Sequence, residues 1–202
     1  IGEVANKLEL IEHSTRADFE RLGRRYVEGI RNYPASEIYL IDKTPLNYLY
    51  LGLIHQALPC AKVIHVRRNP MDSCYGMYRT LFRAGYPFSN NFSDLAKYFI
   101  AYRRMMQHWR DVLGDWFMDV SYESLVDGQE LVSRNMLEFC GLEWQQACLD
   151  FHRNDAPVAT ASSAQVRQPV YRDALQRWRK YETQLQPLAD LLRQGGIDIE
   201  VD

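Results

Sequence analysis

The stretch that decides the fold is Ala61-Lys62-Val63-Ile64-His65-Val66-Arg67-Arg68-Asn69-Pro70-Met71-Asp72. Its first half is short, apolar and β-branched, the composition of a strand buried in a parallel sheet. Its second half reads as a helix start. Asn69 is a good N-cap, Pro70 suits the first helical position, and Asp72 puts a negative charge in the first turn. Two arginines stand between the halves. Open α/β sheets bind ligands at the carboxyl ends of their strands. A helix N-terminus offers N–H groups and the positive end of its dipole, and arginine adds fork-shaped, charge-assisted hydrogen bonds. The junction is therefore a candidate phosphate site centred on Arg68. Two surface arginines at a strand exit would give the same letters.

Upstream, Asp42-Lys43-Thr44-Pro45 has the same arrangement. Glu37 to Ile41 reads as a short strand, Lys43 is a cation at its end, and Thr44 and Pro45 open a helix that runs to about Leu58. If the two strands are neighbours, Lys43 and Arg68 converge on one crevice; a solvated lysine is the alternative. Before this, Thr15 and Asp18 have capping-box spacing, and Phe19, Leu22, Tyr26 and Ile30 mark a helix to about Asn32.

Downstream, the helix after Asn69 is expected to last to about Arg83, followed by a Gly- and Pro-containing loop over 85–91. Phe92, Leu95, Phe99, Tyr102, Met106, Trp109 and Leu113 then keep helical spacing, a buried stripe. Trp116 to Val120 reads as a strand, with Tyr122 and Glu123 at its carboxyl edge; a core tyrosine is the plainer reading of Tyr122. Helices are expected at 129–140, 144–152 and 176–193, the last stopped by Gly195 and Gly196. The irregular segment 154–169 carries Thr160, Ser162, Ser163, Gln165 and Arg167. Such loops often close over ligands, and an ordinary surface loop would look alike. Strands alternate with helices, so the class is α/β with a parallel sheet, and 1–202 reads as one domain.

Composition narrows the function. The chain of 202 residues carries 24 Lys and Arg against 26 Asp and Glu, so no basic field marks a nucleic-acid binder. No apolar run approaches the roughly 18 residues of a membrane span. Cys60, Cys74, Cys140 and Cys148 form no CxxC pair and have no His at zinc spacing. Three of them lie in apolar segments and read as buried free thiols, which favours a reducing, cytoplasmic setting.

Taken together, Asp42-Lys43-Thr44-Pro45, the Val63 to Asp72 run with Ser73-Cys74-Tyr75, Tyr122-Glu123-Ser124-Leu125, Leu137 to Leu142, Gln165 to Tyr171 and Arg177 to Tyr181 resemble the sulfotransferase superfamily. The likeness is closest to a bacterial branch that often carries tetratricopeptide repeats and is related to tyrosylprotein sulfotransferases. It implies an α/β fold similar to P-loop nucleotide kinases, a parallel sheet flanked by helices. It implies 3′-phosphoadenylyl sulfate (PAPS) as sulfuryl donor, no metal, and a hydroxyl or amine acceptor; peptide tyrosine, sugar, lipid and small metabolite all remain open. It also implies roles. Arg68 would bind the 3′-phosphate, and Lys43 would neutralise the bridging phosphosulfate oxygen. Tyr122, Thr160, Ser162 and Ser163 would sit at the donor and the transferring sulfuryl group, which makes Lys43 and Tyr122 the catalytic candidates, and Arg167 would close the pocket.

Two departures accompany the likeness. Where the family usually has a second serine for the 3′-phosphate, this sequence has Gly76, so its backbone N–H or Ser73 would substitute. The family's N-terminal strand and its Arg-Ser-Gly-Thr-Thr type phosphosulfate turn have no counterpart in the sequence and are expected upstream of Ile1, as is the catalytic base. A P-loop kinase-like transferase and an inactive binding or scaffold module are the other readings.

Overall fold

The computed structural model describes residues 9, 13, 18–30, 39–82, 85–154 and 167–200. They fall into two compact units: 1–61 with 105–114, and 62–104 with 115–202.

In the first unit, helix α1 spans Phe19–Ile30. Asp18 Oδ1 accepts the Arg21 N–H at 2.9 Å, a cap at this helix start; Thr15, the other member of the expected capping box, lies outside the described residues. A 3₁₀ turn, Asn47–Tyr50, leads into helix α2, Leu51–Ala57. The expected single helix from Thr44 is thus split. The Thr44 hydroxyl donates to Asp42 Oδ1 at 3.1 Å, so it does not cap, and Leu46 occupies the cap position without a side-chain bond. Residues 39–43 form no strand, and residues 37 and 38 lie outside the described residues. Gly23 is buried where α1 meets α2: a Cβ there would overlap the Ala57 carbonyl oxygen. Trp109 Nε1 donates to Tyr48 O at 2.7 Å and ties the 3₁₀ turn to residues 105–114.

In the second unit, β1 (Val63–Arg67) pairs in parallel with β2 (Phe117–Ser121), register Val63 to Phe117 through Arg67 to Ser121. Helix α3 (Pro70–Arg79) leaves β1 directly. Helix α4 runs Phe92–Leu113, with 92–104 in this unit and 105–113 in the first; α5 runs Tyr122–Asp127, α6 Gln129–Cys140 and α7 Glu182–Gln194. The fold is mixed α/β as expected, mostly helical, with a two-stranded parallel sheet among the described residues. Met71, Cys74, Leu95, Phe99, Trp178, Leu188 and Leu192 form the core under α3.

The sheet register places His65 opposite Asp119. With Nδ1 protonated, His65 donates to Asp119 Oδ1 at 2.5 Å, and its Nε2 accepts from the Tyr102 hydroxyl at 2.5 Å. This polar chain locks both strands to α4.

Several boundaries differ from the sequence expectation. Helix α3 stops at Arg79 because Thr80 turns extended, and its hydroxyl takes the Gly76 carbonyl at 2.7 Å. The segment 144–152 forms two 3₁₀ turns instead of a helix, since Gln145 is extended. The loop near 85–91 contains a 3₁₀ turn, Pro87–Asn90, held by Phe88 stacked on Tyr98 at 3.7 Å. Of the four thiols only Cys74 is buried, and burial pushes its pKa up; Cys60 is exposed.

The two glycines of α1 should respond oppositely to alanine. Gly23→Ala forces α1 off α2 and should cost about 1–3 kcal/mol. Gly29→Ala, where an added Cβ meets nothing within 4 Å, should gain about 0.5–1 kcal/mol. Urea unfolding of the two variants checks both signs.

Candidate functional site

The strand-to-helix junction of the second unit is built around Asn69, 8% exposed. Its Oδ1 accepts the N–H groups of Met71 at 3.0 Å and Asp72 at 3.2 Å. Its Nδ2 donates to Ile199 O at 2.9 Å. Its own N–H donates to Glu123 Oε1 at 2.9 Å, and Glu123 Oε2 accepts from the Ser121 hydroxyl at 3.2 Å. Pro70 has no N–H. Every N–H of the helix start that could hold an anion is therefore already used by the protein. This corrects the expectation of free amides at that end: an anion here has to be met by side chains.

Arg68 is the side chain in place. Its Nη2 donates to Ala174 O and lies 3.7 Å from Asp72 Oδ2. Its guanidinium carbon stands 5.1 Å from the centre of the Tyr122 ring, a cation–π arrangement. Tyr122 is the first residue of α5. Burial raises its pKa, and Arg68 opposes that rise, so the phenol is kept neutral beside the guanidinium. The Nε of Arg68 is buried and has no hydrogen-bond partner. A buried donor without an acceptor is costly, and a phosphate oxygen fits that need.

Asp72 completes the junction. Its carboxylate, 1% exposed, accepts the Gln176 N–H at 2.6 Å and the Trp178 N–H at 3.3 Å. The sequence marks Asp72 only as a first-turn acid; its partners Gln176 and Trp178 lie more than a hundred positions away, and no local pattern points to them.

The other expected residues are spread more widely. Ser73 and Gly76 are half-buried on α3, and a Cβ at Gly76 would meet nothing within 4 Å, so a serine has room there. Arg167 is exposed. Thr160, Ser162 and Ser163 lie outside the described residues. Lys43 belongs to the first unit and Arg68 to the second. Lys43 is exposed, on a loop held by its neighbour: Asp42 Oδ2 accepts from the Tyr26 hydroxyl at 2.5 Å. The aromatic loop at Tyr86 and Phe88 is occupied by ring packing, Phe88 on Tyr98 and Tyr86 edge-on to Phe82.

A cavity of about 200 Å³ adjoins Asn69 and is lined by the carboxylates of Asp72, Glu123, Asp127 and Glu200, with Arg179 the basic residue. Arg179 is paired with Glu200 at 2.8 Å. Arg68 is not among the residues that line it. Among the described residues no cluster of His, Cys, Asp or Glu is placed to hold a metal ion.

A model of the sulfotransferase family matches residues 5–146. The chain belongs to the sulfotransferase family. An uncharacterized protein of Aquifex aeolicus is 32% identical over 178 residues, which cover 87% of this chain and 23% of that protein. A protein-tyrosine sulfotransferase of Drosophila melanogaster is 27% identical over 147 residues, 69% of this chain and 30% of that protein. The chain spans less than a third of the length of these curated relatives. Its match to the family includes Lys43, Arg68 and Tyr122 and stops before Arg167.

The Tyr26–Asp42 bond should be visible by titration. The bond raises the Tyr26 pKa from 10.0 to about 12 and lowers that of Asp42 below 3.8. Tyr26 therefore adds stability that is full below pH 10 and is lost as pH rises towards about 12. Asp42 adds stability that is present above 3.8 and lost as pH falls through its lowered value. Phenolate absorbance, taken as wild type minus Tyr26→Phe, should show the late ionisation, and Asp42→Asn should return it towards 10.0.

Proposed function

We propose that the protein carrying this chain transfers a sulfuryl group from PAPS to a hydroxyl or amine acceptor, and that this chain holds the nucleotide end of the donor. The observation that carries the reading is Arg68: a guanidinium at the carboxyl end of a parallel strand, braced by Ala174 O, with a buried Nε that lacks an acceptor. Family membership supports sulfuryl transfer as the reaction class. The likeness to a protein-tyrosine sulfotransferase and the motif order support the tyrosylprotein-related branch, including its bacterial members with tetratricopeptide repeats. The acceptor stays a hydroxyl or amine of unspecified carrier.

In the reaction proposed, the acceptor heteroatom attacks sulfur and the bond from sulfur to the 5′-phosphate oxygen breaks. The electron pair leaves on adenosine 3′,5′-bisphosphate (PAP), and the acceptor loses its proton to a base. Arg68 with Tyr122 would hold the 3′-phosphate side. Ser73 would assist from the same helix; the N–H of Gly76, well inside α3, is taken by the helix's own hydrogen-bond ladder, so of the two substitutes that the sequence offered only Ser73 remains. Lys43 would meet the charge that grows on the leaving oxygen; its support is its place in the Asp42-Lys43-Thr44-Pro45 motif. Thr160, Ser162, Ser163 and Arg167 would line and close the donor site. The residues 1–202 would act as one catalytic segment, metal-free, in the cytoplasm, where a thiol as exposed as Cys60 persists reduced.

Two measurements test this. Calorimetry on the intact protein should find PAP bound about tenfold to a hundredfold more tightly than AMP, the worth of one charge-assisted bond. ATP should behave like AMP, because it lacks a 3′-phosphate. Arg68→Ala should erase the preference, and Arg67→Ala should reduce it less. Equal affinities for PAP and AMP would remove the assignment, and tighter binding of ATP would favour a kinase-like transferase. Separately, Lys43→Met should lower kcat more than it weakens PAP binding, since the leaving charge develops only in the transition state. An unchanged kcat would make Lys43 a solvated lysine.

A further inference from the structure

The segment that follows Arg167 is fastened to the junction by one buried carboxylate. Asp72 is 1% exposed, and its two oxygens accept backbone N–H groups from Gln176 at 2.6 Å and Trp178 at 3.3 Å. Between these contacts the backbone is bent. Gln176 sits at φ 52°, the one non-glycine residue with positive φ among the described residues. An exposed glutamine has no reason of its own to adopt that conformation, so the carboxylate and the buried Trp178 ring hold it there. Two residues earlier, the Ala174 carbonyl accepts from Arg68 Nη2, and Asp72 Oδ2 lies 3.7 Å from the same nitrogen. The guanidinium is thus gripped on one edge by a carbonyl that Asp72 indirectly positions. Its Nε is left buried and without an acceptor.

Resting on the reading of Arg68 as the ligand of a nucleotide 3′-phosphate, we propose that Asp72 is a positioning residue for the donor. Through the Gln176 and Trp178 amides it latches residues 174–178, so that the Ala174 carbonyl sets the direction of the Arg68 guanidinium. The carboxylate charge is offset by two backbone N–H dipoles and by Arg68 itself, so it does not oppose a phosphate as a free acid would. The role differs from core filling. It predicts an effect confined to recognition of the 3′-phosphate, because the rest of a nucleotide does not depend on where Arg68 points.

The test is calorimetry with PAP and with AMP on the intact protein, for wild type, Asp72→Asn, Gln176→Pro, Arg68→Ala and the Arg68→Ala/Asp72→Asn pair. Gln176→Pro removes the N–H at 2.6 Å and forces φ negative. It alters an exposed residue, so it decides the matter if circular dichroism shows Asp72→Asn unfolded. Each latch variant should lower the preference for PAP over AMP by about tenfold, while AMP affinity stays within about twofold. In the Arg68→Ala background, Asp72→Asn should change nothing further. A wild type with no preference for PAP would end the reading of Arg68 and the latch with it. A wild type that prefers PAP, beside latch variants that keep the preference or weaken PAP and AMP alike, would leave the reading of Arg68 standing and overturn the latch.

Discussion

The Asn69 side chain accepts two N–H bonds from its own helix and donates to Ile199 near the other end of the chain, while its backbone N–H is taken by Glu123. Three elements meet there: the end of β1, the start of α5 and the segment after α7. Each bond is worth about 0.5–1.5 kcal/mol net, but losing one partner strands a buried donor or acceptor at about 1–3 kcal/mol. The constraint is therefore mutual satisfaction. No member of the cluster can move without orphaning another, and Arg68 leaves the strand at a direction fixed by this cluster.

That arrangement changes how the junction can recognise an anion. A bare helix N-terminus would supply amides and a dipole. Here Asn69 and Glu123 have taken those amides, and Glu123 and Asp72 add negative charge close by. Attraction has to come from the guanidinium, which keeps a full charge and a donor with no acceptor. Tyr122 supports this: its ring lies 5.1 Å from the guanidinium carbon and its phenol stays neutral.

Much of this was legible in the letters, where one local rule dominates. The β-branched run at Val63 to Val66 and the Asn-Pro start of α3 lie where the sequence puts them, and the aromatic stripe from Phe92 to Leu113 forms α4. Reading failed where a side-chain partner, near or far in sequence, overrode the local rule. Thr44 looks like a cap, but Asp42 takes its hydroxyl, so the helix start is delayed. The stretch from Gln176 reads as helix, yet the Asp72 carboxylate, about a hundred positions earlier in sequence, bends it, and regular helix begins only at Glu182. At the site, Arg68 and Tyr122 were visible as residues at strand ends, and their contact follows from β1 and β2 being neighbours. The Ala174 carbonyl was invisible, because any residue type supplies one.

The central claim is that Arg68 meets the 3′-phosphate of the donor with its buried Nε. Arginine Nε–Hε resonances of ¹⁵N-labelled intact protein report it directly, with the Arg68 signal assigned by its loss in Arg68→Lys. Saturating PAP should move that resonance strongly downfield, as a charge-assisted bond to phosphate forms, and saturating AMP should leave it in place. An Arg68 signal that ignores PAP, or that responds equally to AMP, would contradict the account.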